Sequence, residues 1–257
     1  MDLLTISGLL VGFAAIFGGY IGEGGDPIWV LWHPFAWLIV LGGSLGCGLI
    51  GLPGTHGRHV LKVTPKLFVR AKVDMNGMID KMVDWAQIAR REGLLGLEGV
   101  SDTEDNLFAR KGLRMLVDGR EPEAIRKILE IELETTESLD VAASKFYGEM
   151  GGYAPTIGII GAVLALIVVM GDLSDPNEVG KGIATAFCAT VYALLSANLI
   201  FLPWGAKLKI IAEEEAQFRF MIVEGLVLIA SGENPRNLED QLRVTAKLVL
   251  KVSRVFT

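Results

Sequence analysis

The sequence predicts an all-α integral membrane protein with four transmembrane helices and a helical cytoplasmic domain. Hydrophobic residues make up 51% of the 257 residues, and the mean hydropathy is positive. Charged residues, 21% of the chain, are absent from four windows, each close to the roughly 20 helical residues that cross a bilayer. A hydrophobic soluble core is the alternative, but core helices rarely exclude charge for so long. The windows are 3–22, 34–53, 153–171 and 182–205.

The first window could instead be a cleaved signal peptide. It lacks the positively charged beginning of such a peptide, since the chain starts with Met1 and Asp2. Its apolar run also exceeds the usual length of about 7–15 residues. We therefore expect a retained helix.

The distribution of Lys and Arg predicts the orientation of the four helices. Basic residues follow the second window before any acidic residue: Arg58, Lys62, Lys66, Arg70 and Lys72. The two short loops between paired windows are mostly acidic, with Glu23, Asp26, Asp172, Asp175 and Glu178 against one Lys181. Both termini and the long middle segment are therefore predicted to lie in the cytoplasm.

The windows divide the chain into four segments: 1–53 and 153–205 with two spans each, the helical cytoplasmic block 54–152 and the cytoplasmic tail 206–257. Two short stretches resemble each other, "GREPEAI" from Gly119 and "GENPRNL" from Gly232. In each, the glycine is predicted to end one helix in a left-handed conformation, and the proline to open the next. The tail should continue the fourth span and turn back at Gly232.

Small residues recur at helical spacing in every window, for example Gly8 and Gly12 in the first and Gly158 and Ala162 in the third. Helices in lipid associate through such residues because they let backbones approach closely. The pattern predicts tight packing inside the subunit and between copies of it. Cys47 and Cys188 also fall inside windows and are expected to be packing residues rather than a disulfide.

No Asp, Glu, Lys, Arg or His lies in any window. Ion pumps and transporters require an ionisable group in the membrane, so either this chain conducts nothing or a partner supplies the carboxylate. A self-sufficient pore lined by carbonyls stays open as an alternative. The polar groups of the third and fourth windows are Thr156, Thr185, Thr190, Tyr192, Ser196 and Asn198.

Other classes of function are not indicated. His56 and His59 have the spacing of metal ligands, but no further ligand is near them in the sequence, so no metal site is predicted. No nucleophile with a base, phosphate-binding loop or pair of catalytic carboxylates is apparent, and we expect no enzyme and no cofactor. The net charge of −6 argues against a nucleic-acid partner.

Five motifs together resemble the MotA/PomA family, the multi-pass stator subunits of the bacterial flagellar motor, over essentially the whole chain. The motifs are "ARREGLLGLE" (89–98), "LVDGREPE" (116–123), "APTIGIIGAVLALI" (154–167), "ATVYALLSANLIFLPWGAKL" (189–208) and "GENPRNLEDQL" (232–242). ExbB/TolQ-type energisers of envelope processes are related alternatives. The four spans and the two glycine–proline turns favour the stator.

The resemblance implies how a subunit without an intramembrane charge takes part in ion flow. Five subunits are expected to surround two copies of a MotB-type partner, which has a single span with the ion-binding Asp and a peptidoglycan-binding domain. Ion flow past that Asp would turn the homopentamer and drive the rotor protein FliG. The third and fourth spans would line the partner.

Individual residues match the family's ion path. Pro155 is expected to open the third membrane helix near the partner's Asp, and Pro203 to lie near the end of the fourth. Thr190 matches a threonine that faces the path. Ala162 and Ala189 replace threonines of sodium-driven members. Since Na⁺ needs several oxygen ligands, the loss of two hydroxyls favours H⁺ over the Na⁺ of a PomA-type stator.

Three charged residues match the family's contact with the rotor. Arg90 and Glu98 occupy the positions of the charged pair that engages FliG, and Arg91 is expected to share this role. Gly93 and Gly96 lie between them and predict a bend in the chain. Charged contacts suit an interface that forms and releases repeatedly, because such charges govern encounter rates more than affinity.

Overall fold

The computed structural model describes residues 3–69, 73–171 and 173–253, with side chains to residue 246. Met1, Asp2, Arg70, Lys72 and Asp172, which entered the sequence arguments, lie outside the described residues. The described part of the chain is helical and contains no strand. The α-helices are α1 (Leu3–Gly22), α2 (Pro27–Leu31), α3 (Pro34–Trp37), α4 (Gly43–Gly51), α5 (Gly57–Val63), α6 (Met75–Glu92), α7 (Glu98–Thr103), α8 (Leu107–Val117), α9 (Pro122–Met170), α10 (Pro176–Leu195), α11 (Leu202–Ala230) and α12 (Pro235–Ser253).

Two compact units share these helices. The span unit comprises Met1–Ala71 and Leu139–Lys209, and the helical unit comprises Lys72–Ser138 and Ile210–Thr257. Among the described residues, four helical stretches are long and apolar enough to cross a membrane: Leu3–Gly22, Pro34–Gly51, Pro122–Met170 and Pro176–Ala230. This confirms the four predicted spans. The four-segment division by membrane location stays a prediction.

The third span differs from its prediction because α9 runs unbroken from Pro122 to Met170, with Pro155 inside it. Pro155 therefore does not open a helix. A proline removes one backbone N–H and crowds the carbonyl four residues earlier, that of Gly151. Packing offsets this local cost: Met150, which precedes Gly151, and Ala154, which precedes Pro155, are both buried.

The fourth span contains a wider helical turn. A π-helical segment, Ser196–Phe201, joins α10 to α11, and Pro203 is the second residue of α11. Because Pro203 cannot donate to the carbonyl of Leu199, a local widening of the helix accommodates it. A second π-helical segment, Leu38–Gly42, joins α3 to α4 in the second span.

Helix α9 lies against α10 and the beginning of α11 through a row of glycines. A Cβ at Gly182 would clash with Val169, and one at Gly158 with Ala193. Nearer the other end of the crossing, a Cβ at Gly205 would lie 2.9 Å from the backbone nitrogen of Gly148. This close approach confirms the tight packing that the small residues predict within the subunit.

An aromatic pair fixes the segment between the first two spans. Trp37 stacks on Tyr192 of α10, with ring centroids 4.1 Å apart. The hydroxyl of Tyr192 donates to the carbonyl of Val30 in α2. Asp26 caps α2, its Oδ1 accepting the N–H of Ile28 at 2.9 Å. The short loop expected here is therefore a capped helix held against α10.

The helical unit has its own core, formed by α6, α8, α12 and the parts of α9 and α11 in this unit. Its fully buried side chains include Ile79, Met82, Leu113, Leu129 and Leu226. An ion pair between Arg126 of α9 and Glu224 of α11 lies at its edge, and hydrogen bonding to Glu224 raises the pKa of Arg126 above its ordinary value.

The two glycine–proline turns have the predicted geometry. Gly119 and Gly232 have positive φ angles of 68° and 72°, and Pro122 and Pro235 begin the next helices. At Gly232 the N–H bonds to the carbonyl of Ile229, and the next N–H to that of Leu228. The same pair of bonds forms at Gly119, so both are Schellman motifs. The predicted turn-back of the tail is confirmed.

Candidate ion path and contact surface

The predicted ion-path residues lie along the α9–α10 pair and the start of α11. Pro155, Ala162 and Thr190 are half-buried within the subunit, and Pro203 is exposed. All four are therefore at least partly accessible from outside the single subunit, as residues that line a shared path must be.

The turn of α9 that precedes Pro155 lies at the level of Leu202 and Pro203. Pro155 removes the N–H that would bond to the carbonyl of Gly151. A Cβ at Gly151 would lie 2.6 Å from Cγ of Leu202 and 3.1 Å from its backbone nitrogen, and Leu202 precedes Pro203. Each proline thus removes one backbone hydrogen bond from its helix, in the region where the backbones of α9 and α11 approach closely.

Ala162 and Thr190 belong to a second level. A Cβ at Gly158, one turn before Ala162, would lie 3.5 Å from Cα of Thr190. One at Gly161 would lie 3.4 Å from Cβ of Ala189. Ala189 itself is only 2% exposed. Its position therefore faces the inside of the subunit, and the argument for H⁺ rests on Ala162 alone.

Thr190 differs from the five other hydroxyl and amide groups named above for these two spans. Within the described part of the chain its hydroxyl makes no hydrogen bond, although Thr in a helix commonly bonds to a preceding carbonyl. The other five groups each donate to a backbone carbonyl: Thr156 to Tyr153, Thr185 to Lys181, Tyr192 to Val30, Ser196 to Ala193 and Asn198 to Leu194. The Thr190 hydroxyl is available to an external partner.

One of the two histidines with metal-like spacing, His59, contacts a buried carboxylate. His59 Nε2 lies 2.5 Å from Oδ1 of buried Asp140, and Lys66 Nζ lies 3.9 Å from the other oxygen of that carboxylate. Thr64 Oγ1 is 2.7 Å from the hydroxyl of Tyr147. These bonds tie α5 and the following turn to α9.

The predicted rotor-contact residues surround a bend in the helical unit. Helix α6 ends at Glu92, and Gly93 follows with φ 76° and ψ 176°, a conformation that favours glycine. A 3₁₀ turn, Leu94–Leu97, leads to Glu98 at the start of α7. The predicted bend is confirmed. Arg90, Arg91 and Glu98 are exposed and form no ion pair within the described residues.

Comparisons with known proteins agree with this geometry. Residues 6–93 match the family model for the motility protein A N-terminal region. Residues 100–221 match that of the MotA/TolQ/ExbB proton channel family.

Relatives are similar over nearly their whole length. Motility protein A of Helicobacter pylori is 37% identical over 94% of both chains. Chemotaxis protein PomA of Vibrio alginolyticus is 30% identical over 95% of this chain and 94% of its own.

Solved stator structures share the fold. A chain of the C. jejuni MotAB structure matches with a TM-score of 0.89 and 34% identity, over 95% of this chain and 96% of that one. A chain of the flagellar MotAB stator complex from Bacillus subtilis matches with a TM-score of 0.84 and 32% identity, over 96% and 98%. The chain therefore belongs to the motility protein A family, within the wider MotA/TolQ/ExbB proton channel family.

Proposed function

We propose that this chain is the stator subunit of a bacterial flagellar motor, which couples proton flow to torque on the rotor protein FliG. The chain is similar to subunits of solved MotAB complexes. This similarity supports a MotB-type partner. Five copies would surround two copies of that partner in the inner membrane, with both termini of this chain in the cytoplasm.

One observation carries the proposal: the apolar windows of the third and fourth spans contain no Asp, Glu, Lys, Arg or His, yet they offer an unpaired Thr190 hydroxyl. A carboxylate in hydrocarbon is costly unless it is paired and hydrogen-bonded. The Thr190 hydroxyl is a suitable donor to such a carboxylate, and it becomes an acceptor when the carboxylate is protonated. The chain therefore provides a hydrogen-bond partner for a carboxylate in the membrane, while its own spans contain no carboxylate.

The prolines contribute to the same path. Loss of the N–H at Pro155 leaves the carbonyl of Gly151 without its usual helical donor, and such a group in a membrane is tolerated where water or a neighbour satisfies it. A water or proton carrier next to this carbonyl would lie at the level of Pro203. Proton transfer would neutralise the partner's acid and let the surrounding pentamer step.

Torque requires a contact outside the membrane, and we assign it to Arg90, Arg91 and Glu98. These side chains are exposed, and the described part of the chain gives them no ion pair. Charges that are already neutralised within the subunit would contribute little to encounter with the rotor. The lack of internal partners thus supports the assignment.

Reversal of charge at Arg90 should abolish swimming without loss of the protein. In a host from which this gene and any other stator genes are deleted, the wild-type chain with its partner should restore swimming, and Arg90→Glu should not, because its charge now repels the rotor surface. Arg120→Glu is the matched control, since Arg120 is also exposed in the helical unit. Soft-agar swimming and immunoblots of membranes measure both effects.

The same strains test the coupled ion. Swimming of the wild-type complement should persist when sodium is removed and stop when a protonophore is added. The reverse pattern would show a sodium-driven stator.

Equal swimming by Arg90→Glu and Arg120→Glu would contradict the rotor contact.

A further inference from the structure

An exposed apolar side chain lies among the charged residues of the bend. Leu95 is 71% exposed, and it belongs to the 3₁₀ turn that connects Gly93 with Glu98. Its neighbours in the turn behave differently: Leu97 is fully buried, and Leu94 packs against the core of the helical unit. Removing a leucine side chain from water is favourable, so a partner gains by covering Leu95.

A groove lies between the Gly93 bend and the Gly232 turn, and Leu94, the neighbour of Leu95 in the sequence, is part of its lining. We call it the turn groove; its volume is about 200 Å³, and it is lined by Ala86, Ala89, Arg90, Gly93, Leu94, Ile229, Ala230, Gly232 and Glu233. Its floor is apolar. Both of its glycines have positive φ and no atom within 4 Å of an added Cβ. The backbone at these glycines is therefore accessible to a binding partner.

The rim of the turn groove carries one charge of each sign. Arg90 has no ion pair within the described residues. The carboxylate of Glu233 accepts hydrogen bonds from Nδ2 of Asn237 at 2.9 Å and from the N–H of Asn234 at 3.2 Å. These bonds hold the pKa of Glu233 below its usual value, so this carboxylate is charged at neutral pH and held in place.

We propose that Leu95 and the turn groove form the apolar centre of the contact with the rotor. The occupant is a helical segment of the rotor protein that presents an apolar side chain to the groove, an acidic side chain to Arg90 and a basic one to Glu233. Interfaces of this kind concentrate affinity in a few apolar anchors, while charges around them set orientation and rate. This inference rests on the proposed stator function and adds the anchor to it.

Three substitutions in the full stator complex test the anchor. Leu95→Asp places a charge at the apolar centre, Leu95→Ala removes most of the side chain, and Ala230→Leu fills the groove. Leu107→Asp is the matched control, because Leu107 is 74% exposed and opens α8 in the same unit. Binding of purified complex to purified rotor protein, stall torque and proton flux through the complex are measured for each.

We expect Leu95→Asp and Ala230→Leu to weaken binding to the rotor protein at least tenfold and to abolish torque. Leu95→Ala should have a smaller effect in the same direction. Proton flux should stay within twofold of wild type for all of them, and Leu107→Asp should match wild type throughout.

Other results would overturn the anchor. One is that the Leu95 and Ala230 variants bind the rotor protein as well as Leu107→Asp does. Another is that proton flux is lost in parallel with binding. A third is a changed mass of the complex, which would place the groove between copies of this chain. If Arg90→Glu weakens binding and Leu95→Asp does not, only the anchor fails. If Arg90→Glu also binds normally, the rotor contact of the proposed function fails with it.

Discussion

Replacing Gly205 with alanine is expected to destabilise the packing of α9 against α11 in the span unit. The new Cβ would lie 2.9 Å from the backbone nitrogen of Gly148 and 3.0 Å from the carbonyl oxygen of Ser144. Neither atom can rotate away, so the two helices must separate. Overpacking of this kind costs roughly 1–3 kcal/mol, occasionally more, and we expect a lower melting temperature of the purified complex and reduced swimming.

Gly152→Ala is the matched control for Gly205→Ala. Gly152 also lies inside a membrane-spanning helix, α9, but nothing is within 4 Å of its added Cβ. Alanine is favoured over glycine inside a helix by about 1 kcal/mol, so this variant should be at least as stable as wild type. Equal melting temperatures for the two variants would contradict the close crossing of α9 and α11.

Removal of the Thr190 hydroxyl is expected to impair ion flow while leaving the subunit intact. Thr190→Val keeps the shape of the side chain, and the hydroxyl bonds to nothing in the described part of the chain, so folding should not suffer. Loss of a hydrogen-bond partner destabilises a buried carboxylate by about 1–3 kcal/mol. Proton flux through the complex should fall roughly tenfold or more, since 1.36 kcal/mol corresponds to a factor of ten.

Thr185→Val provides the comparison for Thr190→Val, on the same helix. The Thr185 hydroxyl donates to the carbonyl of Lys181 at 2.9 Å and is therefore already used within the helix. Flux and swimming should remain near wild type. Our assignment of Thr190 to the path is wrong if the two valine variants conduct equally well.

The sequence predicts the spans and turns well because their signals are local. Charge-free windows long enough for a bilayer leave few alternatives, and a glycine followed three residues later by a proline specifies both Gly119 and Gly232 turns. The bend at Gly93 follows from the same kind of signal. These features depend on neighbouring residues, which a single sequence displays directly.

The incorrect or missing predictions depend on contacts between distant residues. Pro155 suggests a helix start, but burial of Met150 and Ala154 keeps α9 continuous. Ala189 is adjacent to Thr190 in the sequence, yet it packs inside the subunit against Gly161. The bond from Tyr192 to Val30 has no local signal at all, because it joins residues 162 positions apart.

The roles assigned to the candidate site came from the resemblance, and the structure adds the physical differences among those residues. The six hydroxyl and amide groups named for the third and fourth spans are not distinguished by the sequence. Only the hydrogen-bond pattern separates Thr190 from Ser196 or Asn198. Likewise, the exposure of Leu95 beside buried Leu97 cannot be read from "LLGL", since either leucine could face the core.

In the proposed mechanism this chain conducts protons only with a carboxylate that a partner supplies. The most direct measurement is proton uptake by liposomes that contain either the purified subunit alone or the complete complex with its MotB-type partner, at equal amounts of this chain. Any segment of the partner that blocks the ion path is first removed from the complex. We then predict proton flux above the liposome background for the complex and no flux above that background for the subunit alone. Equal flux through both preparations would contradict the account.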